Sequence, residues 1–309
     1  MPIHEIIVCL VFIAAIAFIY FSEAVLLCLF IYNKLRKRKR RILSTKRAII
    51  IHFIAIIGII CFCYGYFIEP YKIVLNNFDI HTNKLQKTNF RIVHISDLHC
   101  DKRPANQKEI AKIINDLKPD AIVFTGDAIN NPTFLPVFKN TMKSLKASIG
   151  KYAVYGNWET AHWPGLDYYS QTDFELLNKN SISLEKDNET ITISGLGWNH
   201  GRTADDILRN LSNENYNIFL FHSPDLAGYV PNYNVDLYLC GHTHGGQIAL
   251  PYYGALITMT KYGKKYESGQ YSVGETILYV NRGLGMDAYQ PRIRFFVKPE
   301  IAVFDIRPE

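Results

Sequence analysis

Seven residues in this 309-residue chain are of types, and at spacings, that could do chemistry together. They are Asp97 and His99 in "SDLH", Asp127 in "TGD", Asn157 in "GNWE", His222 in "FHSPD", and His242 and His244 in "CGHTHGGQ". Asp, His and Asn without any Cys make a hard-to-borderline ligand field, suited to Mn, Fe, Zn or Mg rather than to a thiolate site. In Asp97-x-His99 and again in His242-x-His244, an extended segment presents residues i and i+2 to one side. Seven donors exceed the needs of one tetrahedral ion but suit two divalent ions that share a carboxylate. Such a pair stabilises the incoming and leaving oxygens of a phosphoryl displacement and generates a nucleophile from water at neutral pH.

Taken singly, these residues have plainer readings. A histidine in mid-strand such as His94 is a satisfied core group. Asp127 after Thr-Gly fits a cap or a turn, and Asn157 after Gly fits a turn. Their common position decides the matter, because each of the seven lies just past a short apolar run. These runs are "RIVHIS" (91–96), "AIVFTG" (121–126), "YAVYG" (152–156), "TITISGLG" (190–197), "NIFLFH" (217–222) and "VDLYLCG" (235–241). They show no clear alternation and so read as strands buried on both faces. Ligand sites in open α/β sheets form at the carboxyl ends of strands.

Between the strands, the spacing predicts a helix over about Asn106 to Leu117. Ile110, Ile113, Ile114 and Leu117 fall on one stripe, and Pro119 closes the segment. After Gly245, "QIAL", "GQYSVG", "TILYVN" and "EIAVFDI" read as short strands in a meander. The fold class is therefore α/β, with two mixed sheets packed together and helices outside.

The amino-terminal part differs in character. Two apolar runs, 6–32 and 48–68, reach roughly 40 Å and roughly 31 Å as helices, enough to cross a hydrocarbon core of about 30 Å. The start "MPIHE" has no basic segment of the kind that opens a signal peptide, so the first run is expected to stay in the mature chain. Between the runs lie nine Lys and Arg: Lys34, Arg36, Lys37, Arg38, Lys39, Arg40, Arg41, Lys46 and Arg47. They account for the whole of the net charge of +6, so nothing points to a nucleic-acid surface on the large domain. By the positive-inside rule this loop is cytoplasmic and everything after Ile68 extracytoplasmic, in the cell membrane. Glu23 within the first run needs a partner or an interface. The expected organisation is an anchor (1–68), a polar connector with room for one entry strand (69–89), and a catalytic domain (90–309). Of six cysteines, Cys9, Cys28, Cys61 and Cys63 lie in the apolar runs, which leaves Cys100 and Cys240 and excludes a disulfide framework.

The ordered set Asp-x-His, Gly-Asp, Gly-Asn, lone His and Gly-His-x-His, taken in the chain as Asp97-x-His99, Gly126-Asp127, Gly156-Asn157, His222 and Gly241-His242-x-His244, resembles the calcineurin-like metallophosphoesterases over about Phe90 to Ile306. The ending, "YVNRGLG" and "PRIRFFVKPEIAVFDI", looks like the membrane-associated branch. The resemblance implies two facing mixed sheets flanked by helices. It also implies one metal on Asp97, His99, Asp127 and His244, and a second on Asp127, Asn157, His222 and His242, with Asp127 bridging.

The chain departs from that pattern at Trp158, where many relatives carry a histidine near the scissile phosphate. Indole cannot act as a general acid near neutral pH. The loss would cost the 10²- to 10⁴-fold typical of such catalysis unless another group substitutes or the leaving group needs no proton. The lipid-A-pathway pyrophosphatases to which the chain is also similar lack this histidine too. His162, His200 and Arg282 are candidate substitutes, Arg282 as a phosphate contact, and the Trp158 ring could wall an acyl chain or base. The expected activity is hydrolysis of a phosphodiester or pyrophosphate, with a lipid-linked substrate in view. The alternatives are a UDP-2,3-diacylglucosamine-type pyrophosphatase with a cytoplasmic domain, and a metal-binding sensor or scaffold without catalysis.

Overall fold

The computed structural model describes residues 2–37, 45–102, 107–289 and 291–309. Arg38, Lys39, Arg40 and Arg41 of the basic loop and Asn106 at the expected helix start lie outside the described residues. The chain opens with two helices, α1 (Ile3–Leu35) and α2 (Lys46–Phe67), both long and apolar enough to cross a membrane. The Thr45 hydroxyl caps α2 by accepting from Ala48 N at 3.3 Å. The two helices run antiparallel. The Tyr20 hydroxyl donates to the Ala55 carbonyl at 3.1 Å, and His52 Nδ1 meets the Glu23 carboxylate at 2.7 Å. Glu23 thus has its partner on the neighbouring helix, where solvation by water would be lost.

The remaining chain forms two six-stranded sheets. In chain order the elements are β1 (Val74–Thr82), β2 (Phe90–Ile95), α3 (Gln107–Asp116), β3 (Ala121–Phe124), α4 (Leu135–Ser144), β4 (Gly150–Ala153), β5 (Glu175–Leu176), β6 (Asn180–Lys186) and β7 (Glu189–Leu196). They continue with α5 (Asp205–Leu208), β8 (Tyr216–Phe221), β9 (Leu237–Cys240), β10 (Ala249–Leu250), β11 (Gly254–Ala255), β12 (Gly269–Val273), β13 (Thr276–Val280) and β14 (Glu300–Pro308). The first sheet has the order β1-β14-β2-β3-β4-β5, and the second β12-β13-β9-β8-β7-β6.

The strands that precede the seven donors are parallel within each sheet: β2, β3 and β4 in the first, β8 and β9 in the second. Their carboxyl ends therefore share one edge. The expected burial on both faces is present and has a structural reason. On β2, Phe90 and Ile92 join the core between the sheets, whereas Val93 and Ile95 pack outward under Ile110 and Ile114 of α3 and Phe138 of α4. Each fully buried Ile or Phe contributes about 1.5–3 kcal/mol. The second sheet is covered by a third cluster that includes Leu208, Phe219, Phe221 and Tyr238.

The carboxy-terminal strands are not a simple meander. β12 and β13 form a hairpin on β9, but β14 crosses to the first sheet and inserts between β2 and β1. Its residues Ala302, Phe304 and Ile306 enter the inter-sheet core, and Ile301 and Val303 the outer cluster, so both of its faces demand burial that an edge position in the second sheet would not give. The entry strand of the connector is real: β1 pairs with β14 over nine residues, Val74 to Thr82.

Candidate active site

The loops after the parallel strands are laced together by backbone bonds. Asp97 N donates to Gly126 O at 2.9 Å, His99 N to Asp127 O at 3.0 Å, Gly241 N to His222 O at 2.8 Å, and Gly285 N to Asp97 O at 2.7 Å. Close approach explains two glycines. A Cβ on Gly126, whose φ is +100°, would strike the Gly156 backbone, and one on Gly156 would fall on the Asp127 carboxylate.

This lacing brings six of the seven expected donors into two groups, Asp97 with His99 and His244, and Asp127 with His222 and His242. In each group the candidate ligand atoms lie within 4.8 Å of one another. Asp127 faces both groups, with Oδ2 3.5 Å from His99 Nε2 and 3.2 Å from His222 Nε2. Its other oxygen accepts from Trp158 N at 2.9 Å, so the residue at the departed position still positions the shared carboxylate through its backbone. Asn157, the seventh, has its Oδ1 buried without a hydrogen-bond partner, as have His99 Nδ1 and His244 Nδ1.

The backbone and the tautomers agree with this use. Asp97, His99, Asp127, His242 and His244 all have φ between +40° and +72°, a region that costs a non-glycine residue about 1–3 kcal/mol and is concentrated at functional sites. His222 Nδ1 donates to the Thr125 carbonyl at 2.6 Å, which leaves Nε2 free to act as a ligand. His242 reverses this: Nε2 donates to Met259 O at 3.3 Å, and Nδ1 lies 3.2 Å from His222 Nε2. His99 Nε2 and His244 Nε2 are 3.1 Å apart.

Electrostatics show a site that calls for cations. Burial opposes charge on Asp127, yet His222 and His99 hold its carboxyl down to about 2. Burial likewise opposes protonation of His222, but Asp127 and Asp97 carry it up to about 10. Burial lowers His242 to about 4 and pushes Asp97 up. Without another cation, a buried imidazolium must balance the carboxylates. Two divalent ions would do so while filling the unpartnered donor atoms, so the donor set fits them.

Glu159 was not singled out from the sequence, although it stands in the quoted "GNWE". It is 3% exposed, and its carboxylate accepts from Asp127 N at 3.0 Å, Gly156 N at 2.7 Å and Ala128 N at 2.5 Å. Burial first, then Asp127, push its carboxyl up to about 6. It braces the second and third motif loops against each other. The available signal was a glutamate two residues after the motif asparagine, with no apolar surface to cover.

The other candidates separate. The Arg282 guanidinium is engaged by Glu300 through Nε at 2.8 Å and through Nη2, and Arg282 N donates to the same carboxylate at 2.8 Å. Arg282 does not line the cavity over the donors, and neither does His200. His162 does, as do Trp158, Asp127, Asn157 and His242. The Trp158 ring is T-shaped to His99 at 5.3 Å and lies 4.5 Å from His162 and 5.2 Å from Tyr289, centroid to centroid. His94 is a core residue, its Nε2 2.9 Å from Thr125 Oγ1, with burial lowering it to about 3. Cys100 and Cys240 are buried and free.

Two His/carboxylate groups that could each hold a metal ion stand at the ends of parallel strands, and residues 90–246 match the calcineurin-like phosphoesterase family. The chain belongs to that family of metal-dependent phosphoester hydrolases, whose members use a dimetal centre. It is 35% identical to the uncharacterized metallophosphoesterase YkuE of Bacillus subtilis (strain 168), over 79% of this chain and 90% of that protein. It is 29% identical to the UDP-2,3-diacylglucosamine pyrophosphatase LpxG of Chlamydia muridarum, over 69% of this chain and 82% of that protein. Among solved structures, a purple acid phosphatase from yellow lupin seeds overlaps 72% of this chain and 55% of its own at 13% identity. Its TM-score of 0.39 carries no argument.

Proposed function

We propose that the protein is a membrane-anchored dimetal phosphoesterase that hydrolyses a phosphodiester or pyrophosphate, the substrate being lipid-linked. The reading rests on Asp127, whose Oδ2 faces His99 at 3.5 Å and His222 at 3.2 Å. Asp97, His99, His244 and Asp127 would hold one ion, and Asp127, Asn157, His222 and His242 the other. Bound there, two divalent ions would supply Lewis acidity toward the phosphoryl group and a nucleophile from water at neutral pH. The chain's own residues do the rest. Glu159 fixes the Asp127 backbone and Trp158 N its carboxylate, and the Thr125 and Met259 carbonyls fix the imidazole tautomers. Trp158 offers no proton, so the leaving group is one that departs without help, as a pyrophosphate does, or takes its proton from His162, which shares the cavity. Arg282 is held by Glu300 outside the cavity lining, and Arg294, donating to the Arg282, Gly283 and Gly285 carbonyls, orders the loop that ends in Gly285.

Purified full-length protein loaded with Mn²⁺ should hydrolyse bis-p-nitrophenyl phosphate, and Asp127→Ala should abolish both activity and metal binding. An Asp127→Ala protein as active as the parent would sink the shared-carboxylate site. Inactivity with Mn²⁺, Zn²⁺ and Fe²⁺ on mono-, di- and pyrophosphate substrates would leave the sensor or scaffold reading.

The two apolar helices with the basic loop between them support an extracytoplasmic domain by the positive-inside rule. The likeness to LpxG favours a second reading, cleavage of a nucleoside-diphosphate-linked acyl sugar, which requires a cytoplasmic domain. Labelling of introduced surface cysteines by a membrane-impermeant maleimide on intact cells separates the two, since a cytoplasmic domain is protected.

A further inference from the structure

The cavity over the metal donors is not closed by the catalytic domain alone. It has a volume of about 600 Å³ and is lined by Asp127, Asn157 and His242, with Cys9, Phe12, Ile13 and Ile16 of α1 completing its wall. Those four positions follow i, i+3, i+4 and i+7, one face of a helix. The face is held in place at a defined point. The Glu5 carboxylate, fully buried, accepts from Thr258 N at 2.9 Å and from Thr258 Oγ1 at 3.1 Å. On the far side Arg294 N donates to Gly65 O of α2 at 3.0 Å, and Ile293 beside it lines the cavity.

The contacts Tyr20–Ala55 and Glu23–His52 set the register of the helix pair. That register places 9–16 beside the closing turns of α2, where the pair meets the domain. Ile13 and Ile16 are 56% and 40% exposed with the cavity before them, whereas Ile7, Val11 and Phe18, 55%, 63% and 71% exposed, do not line it and lie on faces available to lipid. An apolar wall continuous with a membrane helix, together with anionic-phosphate chemistry, describes an amphiphile.

We propose that α1 is a wall of the catalytic cavity, and that this wall seats the acyl chain of an amphiphilic phosphoric ester or anhydride entering sideways from the bilayer. The inference rests on the phosphoesterase reading above for what happens at the polar end. The chain lies along Ile13 and Ile16, and the Trp158 ring meets it where the polar group begins. The hairpin is then a specificity element, and long-chain substrates should be preferred for their chain and not only for their location.

Two experiments on full-length protein in nanodiscs test this, one of them without catalysis. The chain has three tryptophans, of which Trp158 alone lines the cavity. In metal-free protein, lipids brominated on the acyl chain should quench a distinct part of the fluorescence, and that part should vanish in Trp158→Phe. No quenching, or quenching unchanged by Trp158→Phe, overturns the acyl site. In metal-loaded protein, kcat/KM for alkyl p-nitrophenyl phosphodiesters should rise with chain length, by up to about fourfold per buried methylene, to a plateau. Ile13→Trp or Ile16→Trp, which fill the wall, should flatten the series, whereas Val11→Trp on the exposed face should keep its slope. A series flat in the parent, or equally steep in all variants, refutes the proposal. If no phosphodiester is cleaved at all while Trp158 is still quenched, the catalytic reading fails and the acyl site stands.

Discussion

Glu159→Gln is the most informative single change at the metal centre. The carboxylate accepts three backbone N–H groups from beneath the site, two on Oε2 (Asp127 N and Gly156 N) and one on Oε1 (Ala128 N). Glutamine has the same shape but only one acceptor. Kept at the Oε2 position, its carbonyl retains two bonds at neutral strength, about 1 kcal/mol each weaker than charge-assisted ones. Its amide then points a donor at Ala128 N–H, and an orphaned buried donor costs about 1–3 kcal/mol. The sum is about 3–5 kcal/mol. An opposing effect is larger without metal. Burial and Asp127 raise Glu159 from 4.5 to about 6, and removing its charge relieves about 2 kcal/mol of that cost. With cations bound the part of that relief due to Asp127 is offset, while the part due to burial remains. The destabilisation should therefore be larger in metal-loaded than in chelator-treated protein. That difference is read as weaker overall metal affinity. Unfolding midpoints in detergent with and without EDTA, together with a competitive chelator titration, measure both quantities. Unchanged metal affinity, or a metal-free form harmed more than the loaded one, would refute the reasoning.

Other consequences follow from the same geometry. Arg294, fully buried, donates to the carbonyls of Gly285, Val297, Arg282 and Gly283, so Arg294→Met should orphan at least two of them at about 1–3 kcal/mol each, read as a lower midpoint with loss of metal from the adjoining Asp97 loop. Glu5→Ala should leave Thr258 N–H without its acceptor and loosen the start of α1, seen as faster maleimide labelling of Cys9 in a variant lacking the other helix cysteines. Asp305 is held below the ordinary carboxylate range chiefly by its bidentate bond from Arg91. A lowered folded value gives stability that is present above about pH 4 and fades as pH falls through the folded value. Discounted because Arg91 is two-fifths exposed, that is about 1 kcal/mol, and Asp305→Asn should lack this part of the acid-side loss in a pH series of denaturant midpoints.

The placing of the seven candidate donors along one edge was legible because each sits at the end of a run whose apolar composition marks it as a strand. The sheet then turns sequence order into spatial coincidence. Glu159 was not legible in the same way, because it binds only backbone N–H groups, which carry no residue-type signature. The strand β6 was missed for a related reason: "NSISLEK" is an exposed edge whose burial alternates weakly, with only Leu184 fully covered. The path of β14 into the first sheet depends on which sheet can bury both its faces, a competition that no local window contains. The wall of α1 was hidden by its own composition. Cys9, Phe12, Ile13 and Ile16 are as apolar as their exposed neighbours on α1, so periodicity cannot tell a cavity wall from an outer apolar face. Glu5, a charge at the start of an apolar run, was a residue that could have hinted at docking, and its carboxylate is fully buried.

The pairing of β1 with β14 means that the stretch between helix hairpin and catalytic core is not a tether. Just after α2, the three residues Glu69–Tyr71 form a short helical turn, and the nine of Val74–Thr82 are stitched into the sheet. With the helix pair seated in a bilayer as proposed, the domain could not swing out to sample the aqueous phase, and its catalytic centre would be clamped at one height above the lipid plane. An enzyme mounted so rigidly experiences concentration in two dimensions: its turnover is governed by how many substrate molecules occupy each unit of surface, and diluting the substrate among inert lipids should slow it even when the bulk amount is unchanged.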